Sequence, residues 1–147
     1  MNIEFLTFRQ MTYRLYASML KPALLQYKMT QMEMDILLLL HNIPTCNTAS
    51  QIIATRGLTK SQVSAAVEAL VRKGYLDRQP DGKNLRRIYL SLTDAAAPVV
   101  ACGQQVQRDV AAVLLRGLSL DEQATLGRLM HQVIENIRVS TQDEASC

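Results

Sequence analysis

Residues 48–93 read TASQIIATRGLTKSQVSAAVEALVRKGYLDRQPDGKNLRRIYLSLT, and the order of signals in that stretch decides the fold. Thr48 is followed three residues later by Gln51, and Thr59 by Gln62. Each pair has the form of a capping box. The threonine hydroxyl takes a free backbone N–H of the first helical turn, and the glutamine side chain reaches back to the threonine N–H. Gly57 falls where the first of these helices needs a left-handed residue to end, and Gly74 does the same for the second. Tyr75–Gln79 and Leu85–Leu92 read as strands, with Asp81-Gly82 inside Pro80–Asn84 as the turn. On the second strand Ile88, Leu90 and Leu92 share one face, and Arg87, Tyr89 and Ser91 the other. Two short helices, a tight glycine turn and a hairpin are the order of a winged helix-turn-helix.

Charge is concentrated on the same stretch. Residues 48–93 hold eight basic residues (Arg56, Lys60, Arg72, Lys73, Arg78, Lys83, Arg86, Arg87) against Glu68, Asp77 and Asp81, a net of +5. The segment before it carries +1 and the segment after it −3, for a chain total of +3. Positive charge on one module of this shape points to a polyanion as its partner.

Helices are expected on both sides. Ile3 to Tyr27 carries apolar residues mostly at three- and four-residue steps, with Pro22 expected to bend or divide it. Thr30 and Glu33 form another capping box, opening a helix whose apolar residues Met34 and Ile36–Leu40 run nearly all round, as in a central helix. Thr93 is expected to cap a long helix to about Arg116, and Ser119 with Glu122 to open a last one to about Ser140. The polar tail Thr141–Cys147 is expected to fray.

Composition narrows the class. With 147 residues, 48% of them hydrophobic, the chain suits one globular domain. Glu4, Arg9 and Arg14 interrupt any signal-peptide core, and no apolar run approaches a membrane span, so a cytoplasmic protein is expected. Cys46, Cys102 and Cys147 are widely spaced and odd in number, which implies no disulfide framework. His41 and His131 do not make a metal site, and no cofactor is called for. No nucleophile–base pair or phosphate-binding glycine loop stands out, so an enzyme is not expected.

The helix from Thr59 to Lys73 is the candidate reader. Val63, Val67 and Leu70 form its buried stripe, leaving Lys60, Ser61, Ser64, Ala65, Glu68 and Arg72 largely outside. Small and polar residues at its start permit close approach to a major groove, where Gln62 can pair with adenine and Ser61 and Ser64 read less selectively. Lys60, Arg78, Lys83, Arg86 and Arg87 are expected to supply most of the affinity through phosphates. A polar helix face is often only solvated surface; the glycine turn and basic hairpin beside it favour DNA.

With these residues in view, the stretch from Thr48 to Thr93 resembles the MarR family of bacterial transcriptional regulators. The most specific points are Gly57-Leu58-Thr59, Gly74, and Leu92-Thr93 leading into a helix. The flanking helices resemble the family by layout only. The resemblance implies a mainly α fold with a small β-hairpin wing (α+β). Within a single domain, 1–147, it implies a winged helix-turn-helix DNA-binding lobe at 30–93 and a helical dimerisation region at 1–29 and 94–147. Val110, Val113, Leu114, Leu118, Leu126, Leu129, Met130, Val133, Ile134 and Ile137 supply either a dimer surface or an intramolecular core. The family's wing often carries Asp-x-Arg before the closing Leu-Thr. Here Asn84 takes the aspartate position and Arg86 the minor-groove arginine, while Ala65 stands where a basic residue often follows Val-Ser.

The resemblance therefore implies a sequence-specific DNA-binding regulator, a homodimeric repressor released by a small-molecule effector. The alternative is a winged-helix protein-interaction module without specific DNA binding. DNA-contacting residues are expected among Thr59, Lys60, Ser61, Gln62, Ser64, Ala65, Arg78, Lys83, Arg86 and Arg87. Family members often sense small aromatic or phenolic compounds, and Tyr13, Tyr16 and His41, with Met11 and Met19, are the candidate lining for such an effector. No cysteine lies near the tyrosines of the first helix; Cys46, in a polar loop, is the exposed thiol expected from sequence, with nothing nearby to activate it.

Overall fold

A computed structural model describes residues 3–84 and 86–141. The elements in chain order are α1 (Ile3–Tyr27), α2 (Gln31–Asn42), α3 (Ala49–Arg56), α4 (Lys60–Arg72), β1 (Leu76–Pro80), β2 (Ile88–Leu92), a 3₁₀ turn (Asp94–Ala96), α5 (Ala97–Leu114) and α6 (Leu120–Thr141). The fold is mainly α with one small antiparallel hairpin. Among the described residues no helix is long and apolar enough to cross a membrane. The polar tail beyond Thr141, Cys147 included, lies outside the described residues.

The core is built round α2. Met34 and Ile36 to Leu40 are all buried, packed with Leu20 of α1, Ile52 of α3, Val63 and Leu70 of α4, Leu76 and Leu90 of the hairpin and Val99 of α5. Gly103 of α5 is buried here because a Cβ on it would stand 2.8 Å from Met34 Sδ and about as close to Leu38. Its missing side chain lets α5 lie close on α2. Cys46 is also fully buried and its sulfur, 3.5 Å from Thr55 Oγ1, is in a disulfide, contrary to the exposed thiol and the absence of disulfides expected from sequence. The loop folds over the core, a placement that local polarity does not report.

Local chemistry sets the helix ends. The Thr48–Gln51 and Thr59–Gln62 boxes are complete in both directions, as is Ser119–Glu122. Gly57 ends α3 at φ 62°, where a side chain would be strained. Three expectations need correction. α1 runs through Pro22 as one helix, so of the bend or division expected there the division does not occur. Thr30 caps α2, but Glu33 does not reach back to it. The buried Glu33 carboxylate pairs instead with Lys73, whose ammonium also donates to Lys28 O at 2.9 Å. One lysine at the end of α4 thereby holds the α1–α2 junction. Thr93 does not cap a helix with its side chain; its hydroxyl donates to Gly74 O at 2.6 Å and a 3₁₀ turn precedes α5.

The hairpin pairs Leu76 with Leu92 and Pro80 with Ile88. It is shorter than expected on its second strand, whose expected first residue, Leu85, lies outside the described residues. The cause is local competition for backbone donors. Asp81 and Asn84 side chains accept from the N–H groups of Lys83 and Arg86, and Asp81 N–H closes the loop on Arg87 O at 2.8 Å. Residues 81–87 thus form a longer wing tip. Leu90 N–H also donates to Asn47 O at 2.8 Å, tying the hairpin to the entrance of α3. Of the three residues expected on the inner face, Leu90 is buried, while Ile88 is 43% exposed.

Candidate nucleic-acid interface

α4 turns Val63, Ala66, Val67 and Leu70 inward and leaves Lys60, Ser61, Gln62, Ser64, Ala65 and Glu68 exposed, as its 3.6-residue period requires. Thr59 and Gln62, expected both to cap α4 and to contact DNA, form the complete capping box. The Gln62 Oε1 accepts both the N–H and the hydroxyl of Thr59 at 3.0 Å, so its amide NH₂ is the end left to meet a base.

A cleft of about 810 Å³ separates α4 from the wing. Ile53, Val67, Ile88 and Leu90 line it with apolar surface; Lys60, Ser64, Arg78, Asn84, Arg86 and Arg87 line it with polar groups. Four of the five expected phosphate contacts therefore converge on one groove. Lys83 is exposed on the wing tip, outside the cleft lining. Asn84 Oδ1 accepts from the Arg86 backbone N–H at 3.1 Å. It shapes the loop that carries Arg86. Arg87 lies over the Tyr89 ring, 5.5 Å from its centre, and Arg78 is held by Glu68 at 2.7 Å. That carboxylate lies below its usual range because the Arg78 hydrogen bond and charge favour its ionised form.

A second cavity, of about 710 Å³, lies where α1, α2, α3, α5 and α6 meet. Phe5, Phe8, Tyr13 and Tyr16 form its aromatic wall, with Arg9, Asp35, Arg56, Val110 and Met130 among the rest. Two of the three candidate effector residues, Tyr13 and Tyr16, are there. His41 is not: it is exposed near the end of α2, six residues from Asp35 and so turned to another face. Met11 and Met19 do not line the cavity either. Sequence reasoning missed Asp35 and Arg56, since nothing local links residues on separate helices. Tyr16 donates to Asp35 Oδ1 at 2.8 Å. Burial, then the Asp35 charge and hydrogen bond, hold the Tyr16 phenol well above its ordinary range. Burial also raises the Asp35 carboxyl, with the Tyr16 bond and Arg56 opposing.

α6 is different in kind. None of its described side chains is buried, yet Leu126, Leu129, Met130, Val133, Ile134 and Ile137 form one stripe along it. Val113, Leu114 and Leu118 extend that surface and are exposed too; of the ten positions left open between core and interface, Val110 alone is buried.

Residues 27–87 match the family model for the MarR family. Over that stretch the chain is similar to the MarR family. Its fold is that of solved MarR-type regulators along nearly the whole length. A MarR protein from Peptoclostridium difficile superposes with a TM-score of 0.79 at 15% identity, covering 95% of this chain and 91% of that one. A MepR mutant from a multidrug-resistant S. aureus clinical isolate gives 0.73 at 20% identity, covering 93% and 98%. A mutant MarR from E. coli, solved in complex with operator DNA, gives 0.68 at 23% identity, covering 89% and 94%. The superposition extends beyond residues 27–87, so the outer helices share the layout of those structures.

Proposed function

We propose that this protein is a MarR-family, sequence-specific DNA-binding regulator, acting as a homodimer and repressing until a small effector releases it. The observation that carries the reading is the groove between α4 and the wing, where Lys60, Arg78, Arg86 and Arg87 meet beside small side chains that admit a duplex. The E. coli MarR variant of the same fold is bound to operator DNA, which supports this use of the groove. Residues 30–93 act as the DNA lobe, and residues 1–29 with 94–147 as the dimerisation region.

The apolar stripe of α6 supports the dimer. A 22-residue helix with no buried side chain gains little from its own chain, and an exposed apolar patch of this kind marks an interface. The aromatic cavity supports a small aromatic effector, because it lies between α3 of the DNA lobe and α1, α5 and α6.

The test is binding of purified protein to the DNA upstream of its own gene, with random duplex as competitor, at two salt concentrations. Competitor-resistant binding with a steep salt slope is expected. Weak binding, equal on both DNAs, would overturn the reading in favour of a protein-interaction module.

A further inference from the structure

Glu68 is the only acidic residue of α4. It lies four residues after Ser64 and eight after Lys60, on the outward face of the helix proposed above to enter the groove. A carboxylate facing a polyanion repels it. Here the carboxylate is not bare: its Oε2 accepts from Arg78 Nη2 at 2.7 Å, across the gap between α4 and β1. Arg78 lines the cleft with Lys60, Arg86 and Arg87. Both partners of the pair are exposed to solvent, so neither is committed to it by burial. Arg78 therefore has two suitors of like charge and geometry, a carboxylate within the protein and a phosphate on the duplex.

We propose that Glu68 competes with DNA phosphate for Arg78, and that this competition lowers affinity for duplex DNA and keeps Arg78 off the phosphates of random DNA. The inference rests on the DNA reading above. Binding to random duplex comes almost wholly from cations that displace counterions from phosphates. An arginine already neutralised by Glu68 contributes little to that, and transferring it to a phosphate leaves Glu68 bare beside the DNA. On the operator, base-edge contacts seat α4 in the groove and offset the exchange. Glu68 is thus a positioning residue for Arg78, placed to hold it until base contacts favour its transfer to a phosphate.

A double-mutant cycle tests this: wild type, Glu68→Ala, Arg78→Ala and the double variant, each titrated with operator and with random duplex over a range of salt. Both side chains are exposed, and equal melting temperatures confirm that the fold is kept. In Glu68→Ala, random-DNA affinity should rise about two- to fivefold at low salt, the size of a surface ion pair released. The log–log salt slope on random DNA should steepen by about 0.9, one further phosphate contact. Operator affinity should rise at least as much, with its salt slope unchanged, because Arg78 already meets a phosphate there. In the Arg78→Ala background the same substitution should leave the slope unchanged. An equal gain in both backgrounds would overturn the proposal in favour of general charge repulsion. Operator affinity falling while random binding stays constant would overturn it in favour of Glu68 reading a base. Wild type binding DNA with no response to Glu68→Ala would overturn this proposal alone, whereas wild type binding neither duplex would overturn the DNA reading with it.

Discussion

From Thr48 to Thr93 the chain is basic and keeps its apolar stripe inside, with Val63, Val67 and Leu70 packed on α2. Beyond Thr93 it is acidic, and α6 keeps its apolar stripe outside. The two regions have similar helical amphipathicity and opposite fates. The difference teaches that a hydrophobic stripe says that a helix will be covered, and not by what. In the module the cover is the same chain. On α6 the same chain buries none of the described stripe residues, which is why a second copy is proposed for it.

Placing a charge in that stripe breaks the comparison most severely. Ile134→Asp should leave the single chain folded, because the side chain is 43% exposed, but should shift sedimentation to monomer. Operator affinity should then fall by about 100-fold or more, since the second lobe no longer binds as part of one molecule. An unchanged dimer would show that α6 is covered some other way.

The link between α4 and the α1–α2 junction comes next. Lys73→Ala leaves the Glu33 carboxylate buried without its ammonium and removes the donor to Lys28 O. A loss of about 2 kcal/mol is expected, read from chemical denaturation, because an orphaned buried polar group costs about 1–3 kcal/mol and more when charged. A loss under about 0.5 kcal/mol would mean that Glu33 finds water instead.

On the basic side, Arg86→Ala and Arg87→Ala should each lower the salt slope of operator binding by about 0.9, which is about a threefold difference in affinity loss between 50 and 200 mM salt. Unchanged affinity and slope would remove the wing from the DNA contact. Arg87, stacked on Tyr89, already has a fixed pose, so its effect should be the more sensitive to Tyr89→Ala.

The smallest effect is expected at the cavity between the regions. The Asp35 carboxyl is raised above its ordinary 3.8 in the folded chain, so the folded state holds its proton where the unfolded chain has lost it. Stability is then greatest at acid pH as far as this group is concerned, and falls as pH rises from about 3.8 through the folded value. Asp35→Asn keeps an acceptor for Tyr16 and should abolish that fall, giving a flatter melting temperature against pH. The same slope in both proteins would assign it to other carboxylates.

Much of the module was legible because its signals are local. A capping box spans four residues, a C-terminal glycine one, and the alternation of β2 five; each is fixed by local backbone geometry. That is why α3, α4 and the hairpin fall where Thr48, Thr59, Gly57 and Gly74 put them, and why the wing residues could be named in advance. What fails is local reasoning with a distant competitor. Glu33 has the right spacing to reach back to Thr30, yet Lys73, forty residues away, offers a full charge where the box offers one N–H. Cys46 sits among polar neighbours in sequence and under the core in space. Gly103 carries no turn signal, since its reason is the proximity of Met34 and Leu38. Arg78 could be named as a cation from the sequence, but only the packing of β1 beside α4 gives it Glu68 as a partner. The sequence by itself determined where the helices and the wing begin and end and where the positive charge lies, because short-range hydrogen bonding and charge count need no neighbours. The tertiary structure alone decided which charges are paired, which apolar stripe is left bare and which side chains share a cavity, because those depend on surfaces brought together from distant parts of the chain.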